Sequence, residues 1–137
     1  MANPRAFVSF DFDHDELQKI FFVGQGKEDS PTPFVIADWS SKESMPEKTW
    51  EETIAIKIGS CNMVIVLVGK TTATASGVAK EIAMAIAKDV PIFGVYVDGA
   101  GPSTPLPAGL PRGRVIGWKW DAIATAIEQM MGEGKNA

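Results

Sequence analysis

The sequence predicts an α/β fold, a three-layer sandwich around a five-stranded parallel sheet in the order 2-1-3-4-5. Strand-like apolar runs alternate with helix-like segments five times along the chain. Residues 63–68 are all apolar, which is typical of a strand that is buried on both faces. Residues 62–97 form a strand–helix–strand unit, and the parallel strands of such a unit lie at the centre of an open sheet.

Length and composition indicate one globular domain. The chain has 137 residues, so we expect a single domain over 1–137 with an ordered core at about 5–131. The net charge is −4 and the basic residues are scattered, which argues against a nucleic-acid partner. The single cysteine, Cys61, excludes an internal disulfide and any multi-cysteine metal site, and no metal site is predicted.

The distribution of apolar residues indicates no membrane partner. No apolar run approaches the roughly 20 residues that a membrane-spanning helix needs. The first residues also lack the apolar segment of a secretion signal. We therefore expect a cytoplasmic protein.

The first part of the chain contains two predicted strands and two predicted helices. Residues 6–10 form a short apolar strand, which ends in an acidic turn over residues 11–16. Asp13 or Asp15 in this turn can cap the first helix, and residues 34–38 form the second strand. The apolar residues expected on one face are Leu17, Ile20 and Phe21 in the first helix and Trp50, Ile54 and Ile58 in the second.

The second part of the chain continues the alternation. Residues 63–68 and 90–97 are the third and fourth strands, and an Ala-rich helix lies between them. The Gly/Pro-rich loop over residues 98–112 is expected to pack against the core through Leu106 and Leu110. The chain closes with a short edge strand at residues 114–117 and a helix whose apolar stripe is Trp120, Ile123, Ile127 and Met130.

Two nucleotide-binding motifs are absent. The sequence Gly69-Lys70-Thr71-Thr72 resembles the end of a phosphate-binding loop, but no glycine precedes it at the required spacing. No G-x-G-x-x-G follows the first strand, so a dinucleotide-binding Rossmann domain is not indicated. The third strand also lacks the phosphoacceptor Asp of a receiver domain, although acidic residues follow the first strand and can bind a divalent cation.

Glu81 is the carboxylate most suggestive of function. It lies on an apolar helix, on the same face as Gly77 and Ala85, and close to the loop that follows the third strand. Ligands of parallel sheets bind beyond the carboxyl ends of the strands, where this loop lies. The alternative interpretation is a solvent-facing charge that interacts favourably with the helix dipole.

Four segments resemble Toll/interleukin-1 receptor (TIR) domains. They are residues 7–10 with the acidic turn, residues 61–69, residues 80–85 with Glu81, and residues 91–97. Together they resemble the TIR-like domain family of the Thoeris defence protein ThsB, from about Arg5 to Met130.

The resemblance implies an NAD-processing enzyme in antiphage defence. Such TIR enzymes cleave the nicotinamide–ribose bond of NAD, and the ThsB group cyclises the product into an ADP-ribose signal that activates an effector protein. NAD is then a substrate rather than a cofactor, and self-association is expected because TIR enzymes commonly build the site between two protomers. The resemblance assigns catalysis to Glu81 and substrate binding to Phe10, Asp11, Phe12, Asp38, Thr71 and Ser76.

One departure from the family keeps alternatives open. Many relatives carry a Trp shortly before the catalytic Glu, whereas residues 76–80 here are Ser, Gly, Val, Ala and Lys. The second hypothesis is a non-catalytic interaction module that binds a partner through the loops at 40–45 or 98–111. The third is a flavodoxin-like or receiver-like domain that binds flavin or phosphate.

Overall fold

The computed structural model describes residues 4–11, 19–20, 22, 35–39 and 47–134. Asp13, Asp15, Leu17 and Phe21 of the predicted first helix lie outside these residues. The strands are β1 (Arg5–Ser9), β2 (Val35–Trp39), β3 (Met63–Val68), β4 (Ile92–Tyr96) and β5 (Val115–Ile116). The helices are α1 (Glu47–Gly59), α2 (Ser76–Ala87) and α3 (Trp120–Glu133), with short 3₁₀ turns at Thr72–Thr74 and Arg112–Arg114.

The strands form one parallel sheet in the spatial order β2-β1-β3-β4-β5. β3 lies in the middle, between β1 and β4, and its register places Val66 beside Ser9 of β1. Among the strands that the structure describes, the two-residue strand β5 pairs only with β4, as expected of the predicted edge strand. The predicted α/β class with a parallel sheet is confirmed.

Helices cover both faces of the sheet, and this explains why β3 carries only apolar residues. Every residue of β3 is buried. Ile65 packs on the side of α3, against Ile123 and Ile127. Val64 and Val66 pack on the other side, in the cluster formed with α1 and α2. β3 is therefore a strand with no solvent-facing side, and apolar residues at all its positions contribute to the core.

Most of the apolar residues predicted for the later helices are buried, while Trp50 and Trp120 are half-buried and pack against the core. Ile54 and Ile58 of α1 are 1% and 0% exposed, and the loop residue Leu110 is 4% exposed. Leu106 is half-buried and packs against the same cluster as Leu110, so the predicted packing of this loop is confirmed. In α3 the buried residues are Ile123, Ala124, Ile127 and Met130.

One core prediction for the first helix is wrong. Ile20 was expected on the apolar face, but it is 51% exposed, whereas the nearby Phe22 is fully buried. The Phe22 ring packs against Trp118 and Trp120, with centroid distances of 5.8 and 5.0 Å. Residues two positions apart on a helix point in nearly opposite directions, so Ile20 faces away when Phe22 enters the core. Within the described segments, no helix is long and apolar enough to cross a membrane.

Candidate functional site

The candidate site lies where β1 and β3 end and α2 begins. The strands are parallel, so both end at the same edge of the sheet, and the connection from β3 to α2 must start there. Five polar residues of this edge are buried or half-buried, whereas its other polar residues, Lys70, Thr74 and Ser76, are exposed. The five are Ser9, Asp11, Thr71, Thr72 and Glu81.

Glu81 is buried at the centre of this group. Its side chain lies on the sheet-facing side of α2, with Val78, Ile82 and Ala85, and it is only 1% exposed. The hydroxyl of Ser9, itself 0% exposed, donates a 2.7 Å hydrogen bond to Oε1 of Glu81. The predicted shared face with Ala85 is confirmed. The alternative interpretation as a solvent-facing charge is wrong.

Burying the Glu81 carboxylate costs free energy, and the packing of α2 does not require a charged residue there. Removing a carboxylate from water is unfavourable unless hydrogen bonds or opposite charges compensate. A hydrogen bond to a charged group contributes only about 1.5–3 kcal/mol, so the bond from Ser9 offsets part of that cost. A polar group kept in such a position, at the ligand-binding edge of a sheet, is typical of a functional site.

A second hydrogen bond joins the end of β1 to the loop before α2. The Thr71 hydroxyl donates a 2.7 Å hydrogen bond to Oδ2 of Asp11, which is 6% exposed. Asp11 follows Ser9 by two positions, so both residues point to the side of the sheet that α2 covers. Ser9, at the end of β1, therefore contacts α2, and Asp11, two residues later, contacts the loop between β3 and α2.

Thr72 closes the turn immediately after β3. Its hydroxyl accepts a 2.8 Å hydrogen bond from the amide of Gly69 and donates a 3.3 Å hydrogen bond to the carbonyl of Leu67. Thr72 is 0% exposed. In a phosphate-binding loop the backbone N–H groups point at the phosphates, but here the Gly69 N–H is already bonded to Thr72. The Gly69 N–H is therefore not available to a phosphate.

The structure does not bring Phe10 together with Glu81. Phe10 is 1% exposed and packs in the core cluster on the α3 side of the sheet, opposite to the side that carries Ser9. It was expected to line the wall facing Glu81 and to stack on a flat base, which requires an open ring face. With its ring buried, Phe10 contributes to the core in the described structure.

The remaining predicted residues have different positions. Ser76 is the first residue of α2 and is exposed. Asp38 lies in β2, where it is paired in register with Phe7 of β1. Phe12 lies outside the described residues. Among the residues that the structure describes, no group of three or more His, Cys, Asp or Glu side chains can hold a metal ion.

Sequence reasoning missed Ser9 as a site residue. The signal was present, because Ser9 is the only polar residue within the apolar run 6–10. A polar side chain in a strand buried on both faces needs a hydrogen-bond partner inside the protein. That rule predicts a partner for Ser9, but it does not say which residue the partner is.

Comparisons with known proteins agree with this architecture. The sequence profile described as "Thoeris protein ThsB, TIR-like domain" matches residues 7–102. The fold is similar to the crystal structure of a prokaryotic SEFIR domain, with a TM-score of 0.53 and 13% sequence identity. That similarity covers 95% of this chain and 91% of the SEFIR chain, and at such low identity it shows the fold alone. No curated protein matches the chain. Because the profile covers well over half of the sequence, this chain belongs to the TIR-like domain family of the Thoeris protein ThsB.

Proposed function

We propose that this protein cleaves the nicotinamide–ribose bond of NAD and cyclises the ADP-ribose product into a signalling nucleotide for antiphage defence in the cytoplasm. The observation that carries the proposal is Glu81, a buried carboxylate held by Ser9 at the ligand-binding edge of the sheet. Membership of the ThsB TIR-like family supports it, since the resemblance implies NAD as substrate and Glu81 as the catalytic residue. NAD is consumed, so no separate cofactor is needed.

The first chemical step requires stabilisation of positive charge. The bond between ribose C1′ and the nicotinamide nitrogen breaks, and its electron pair stays on the nitrogen, which becomes neutral. The ribose is left with oxocarbenium character, so the positive charge moves onto the sugar. Nicotinamide is a good leaving group without protonation, so the protein needs no strong acid. The carboxylate of Glu81 can stabilise the developing charge or accept hydrogen bonds from the ribose hydroxyls.

The second step decides between cyclisation and hydrolysis. A nucleophile within the ADP-ribose attacks C1′ and closes the ring, and any proton it carries is released. Water attacking the same carbon gives linear ADP-ribose and one proton. A site that excludes water favours ring closure.

NAD reaches Glu81 only after the surrounding groups move. At 1% exposure, the carboxylate has no open surface on which a ribose can bind. We therefore propose that the described structure is a resting conformation, and that a trigger or assembly with a second copy opens the site. Thr71 and Ser76 are proposed to contact ribose or phosphate in the open form, and Asp11 is proposed to line the opposite wall of the site. Phe12 and Asp38 are retained as substrate-binding residues from the resemblance.

The test is incubation of the purified protein with NAD, alone and with extract from phage-infected cells, followed by mass spectrometry of the products. We expect nicotinamide and a cyclic ADP-ribose product from the wild type, and neither from Glu81→Gln. A purified effector that responds to the product would then report the signal. Intact NAD with the wild type under every condition would overturn the proposal.

The 1% exposure of Glu81 favours a second candidate, a non-catalytic signalling module, because a buried and hydrogen-bonded residue can also be purely structural. This candidate predicts that Glu81→Gln retains defence against phage. It also predicts that substitutions in the loop at 40–45, which lies outside the described residues, or in the exposed part of the loop at 98–111 abolish defence. The proposed enzyme predicts loss of defence in Glu81→Gln, so the same assay in cells separates the two.

A further inference from the structure

We propose that Ser9 is a positioning residue for Glu81, and that its hydroxyl fixes the orientation in which the carboxylate is presented to the substrate. The catalytic effect that we infer for Ser9 rests on the proposed function. Its structural basis is the 2.7 Å hydrogen bond from Ser9 Oγ to Glu81 Oε1, between residues 72 positions apart in the sequence.

The sheet places the Ser9 hydroxyl with little freedom. Ser9 is the last residue of β1, which is hydrogen-bonded to β2 on one side and to β3 on the other. Its register partner on β3 is Val66, a fully buried residue. A group on a central strand is held more accurately than a group on a loop, and accurate placement is what a positioning residue needs.

The chemistry of the bond determines how Ser9 acts on Glu81. A serine hydroxyl carries one proton, and here that proton is donated to Oε1. The bond favours the ionised carboxylate, which is the form that stabilises a cationic ribose. The bond also restricts rotation of the Glu81 side chain, so the carboxylate is already ordered before the substrate binds.

Packing alone does not account for a serine at this position. The flanking residues Ala6, Phe7, Val8 and Phe10 are all apolar and buried. An apolar side chain at position 9 would contribute to the core without the cost of burying a hydroxyl. The choice of a serine is explained by its bond to Glu81.

The experiment compares Ser9→Ala, which removes the hydroxyl without adding volume, with Ser9→Thr, which keeps a hydroxyl and suits a strand. The first readout is the titration of the Glu81 side-chain carboxyl carbon by NMR, which does not depend on turnover. The second is the rate of nicotinamide release as a function of pH. Thr125→Ala is the matched control, because its exposed hydroxyl donates to the α3 backbone at Asp121.

In Ser9→Ala we expect the Glu81 titration midpoint to move to higher pH, together with the acidic limb of the rate profile. We expect kcat to fall by about 10-fold or more with a smaller change in KM, as for other residues that orient a catalytic group. Ser9→Thr should restore both, and Thr125→Ala should change neither.

The outcomes separate this inference from the proposed function. A wild-type titration midpoint in Ser9→Ala, or an unchanged kcat beside an inactive Glu81→Gln, would overturn the positioning role. If wild type and Glu81→Gln both leave NAD intact while Ser9→Ala shifts the titration of Glu81, the proposed function fails and Ser9 still orients the carboxylate. Thermal unfolding of each variant verifies that the fold is retained.

Discussion

The Thr71 hydroxyl donates a 2.7 Å hydrogen bond to Asp11, and this bond joins the end of β1 to the loop that leads into α2. The two residues are 60 positions apart in the sequence. Asp11 is 6% exposed and Thr71 is half-buried, so water competes only weakly for the bond. The bond therefore holds the loop against the strand that carries Ser9.

Thr71→Val tests this connection, since valine has the shape of threonine and lacks the hydroxyl. Removing one donor from a buried carboxylate should lower the free energy of unfolding by about 1–3 kcal/mol. If Thr71 also contacts the substrate, KM for NAD should rise several-fold. Chemical denaturation and steady-state kinetics measure the two effects.

Thr71→Ser keeps the hydroxyl and should behave nearly as the wild type in both assays. Thr53→Val is the matched control, because Thr53 donates its hydroxyl to the carbonyl of Thr49 within α1. Equal stability losses in Thr71→Val and Thr53→Val would show that the bond to Asp11 has no special role.

Glu81→Gln should not destabilise the fold, although it should abolish nicotinamide release. Glutamine keeps an oxygen that can accept the Ser9 hydrogen bond, and it removes the cost of burying a charge. We expect its melting temperature at pH 7 to equal or exceed that of the wild type. Residues that are kept for activity are commonly not the most stabilising choice, so a substitution that stabilises the fold but abolishes activity is typical of a functional site.

Glu81→Ala is the contrasting variant, because it leaves a cavity and removes the acceptor for Ser9. Its free energy of unfolding should fall by about 2–4 kcal/mol. Destabilisation of Glu81→Gln to the same extent would indicate that the charge of Glu81 stabilises the fold.

The centre of the fold could be predicted from the sequence because the local spacing of apolar residues shows which faces of a strand or helix are buried. Six apolar residues in succession at Met63–Val68 are accounted for by a strand with helices on both faces. The stripe of Ile123, Ile127 and Met130 likewise determines which side of α3 is buried. Such patterns need no knowledge of distant contacts.

The contacts of the candidate site depend on distant pairs, which local patterns do not record. Glu81 could be singled out as a carboxylate on an apolar helix, but its bond to Ser9 depends on how β1 pairs with β3. Phe10 shows the same limit. A one-residue step along a strand changes the face of the sheet, so Ser9 faces Glu81 while the adjacent Phe10 packs on the side of α3.

Thr72→Val should destabilise the turn after β3. The substitution removes the acceptor for the buried Gly69 amide and the donor to the Leu67 carbonyl. A buried backbone N–H that loses its partner costs about 1–3 kcal/mol, which sets the expected loss in the free energy of unfolding.

Thr72→Ser is the control, because it retains both hydrogen bonds and loses only a methyl group, and it should cost about 1 kcal/mol. Amide hydrogen exchange at Gly69 gives a local readout. Faster exchange in Thr72→Val than in Thr72→Ser is expected, and equal rates in the two variants would contradict the assigned bond.

Gly109→Ala should be strongly destabilising because of both backbone conformation and space. Gly109 has a φ of +88°, and a Cβ atom there would lie 2.8 Å from Ile82 Cγ2 and 3.0 Å from Ile86 Cδ1. The left-handed conformation costs roughly 1–2 kcal/mol and overpacking about 1–3 kcal/mol more. Ile82 adjoins Glu81 in α2, so nicotinamide release should fall as well.

Gly113→Ala is the matched control for this substitution. A Cβ atom at Gly113 has no neighbour within 4 Å, and its φ does not lie in the left-handed region. Its free energy of unfolding should stay within about 0.5 kcal/mol of the wild-type value. Similar melting temperatures for the two variants would show that the loop moves away from Ile82 without cost.

Glu133 should make stability depend on pH at the C-terminal end of α3. Hydrogen bonds from Arg114 first, and from Gln129 second, lower the pKa of Glu133 from its ordinary value of 4.5. A lowered pKa in the folded state means that the unfolded chain binds the proton more readily, so acid favours unfolding. The contribution is fully present above the ordinary pKa, and it is lost as the pH falls through the lower pKa of the folded state.

Glu133→Gln isolates this contribution, because Arg114 can still donate to the carbonyl of Ile92. Between pH 6 and pH 3 the melting temperature of the wild type should fall more steeply than that of the variant, with the difference concentrated below about pH 4.5. The Glu133 side chain is 39% exposed, so the difference should be small and should shrink further in high salt. Parallel curves across this range would show that the ion pair with Arg114 does not persist in solution.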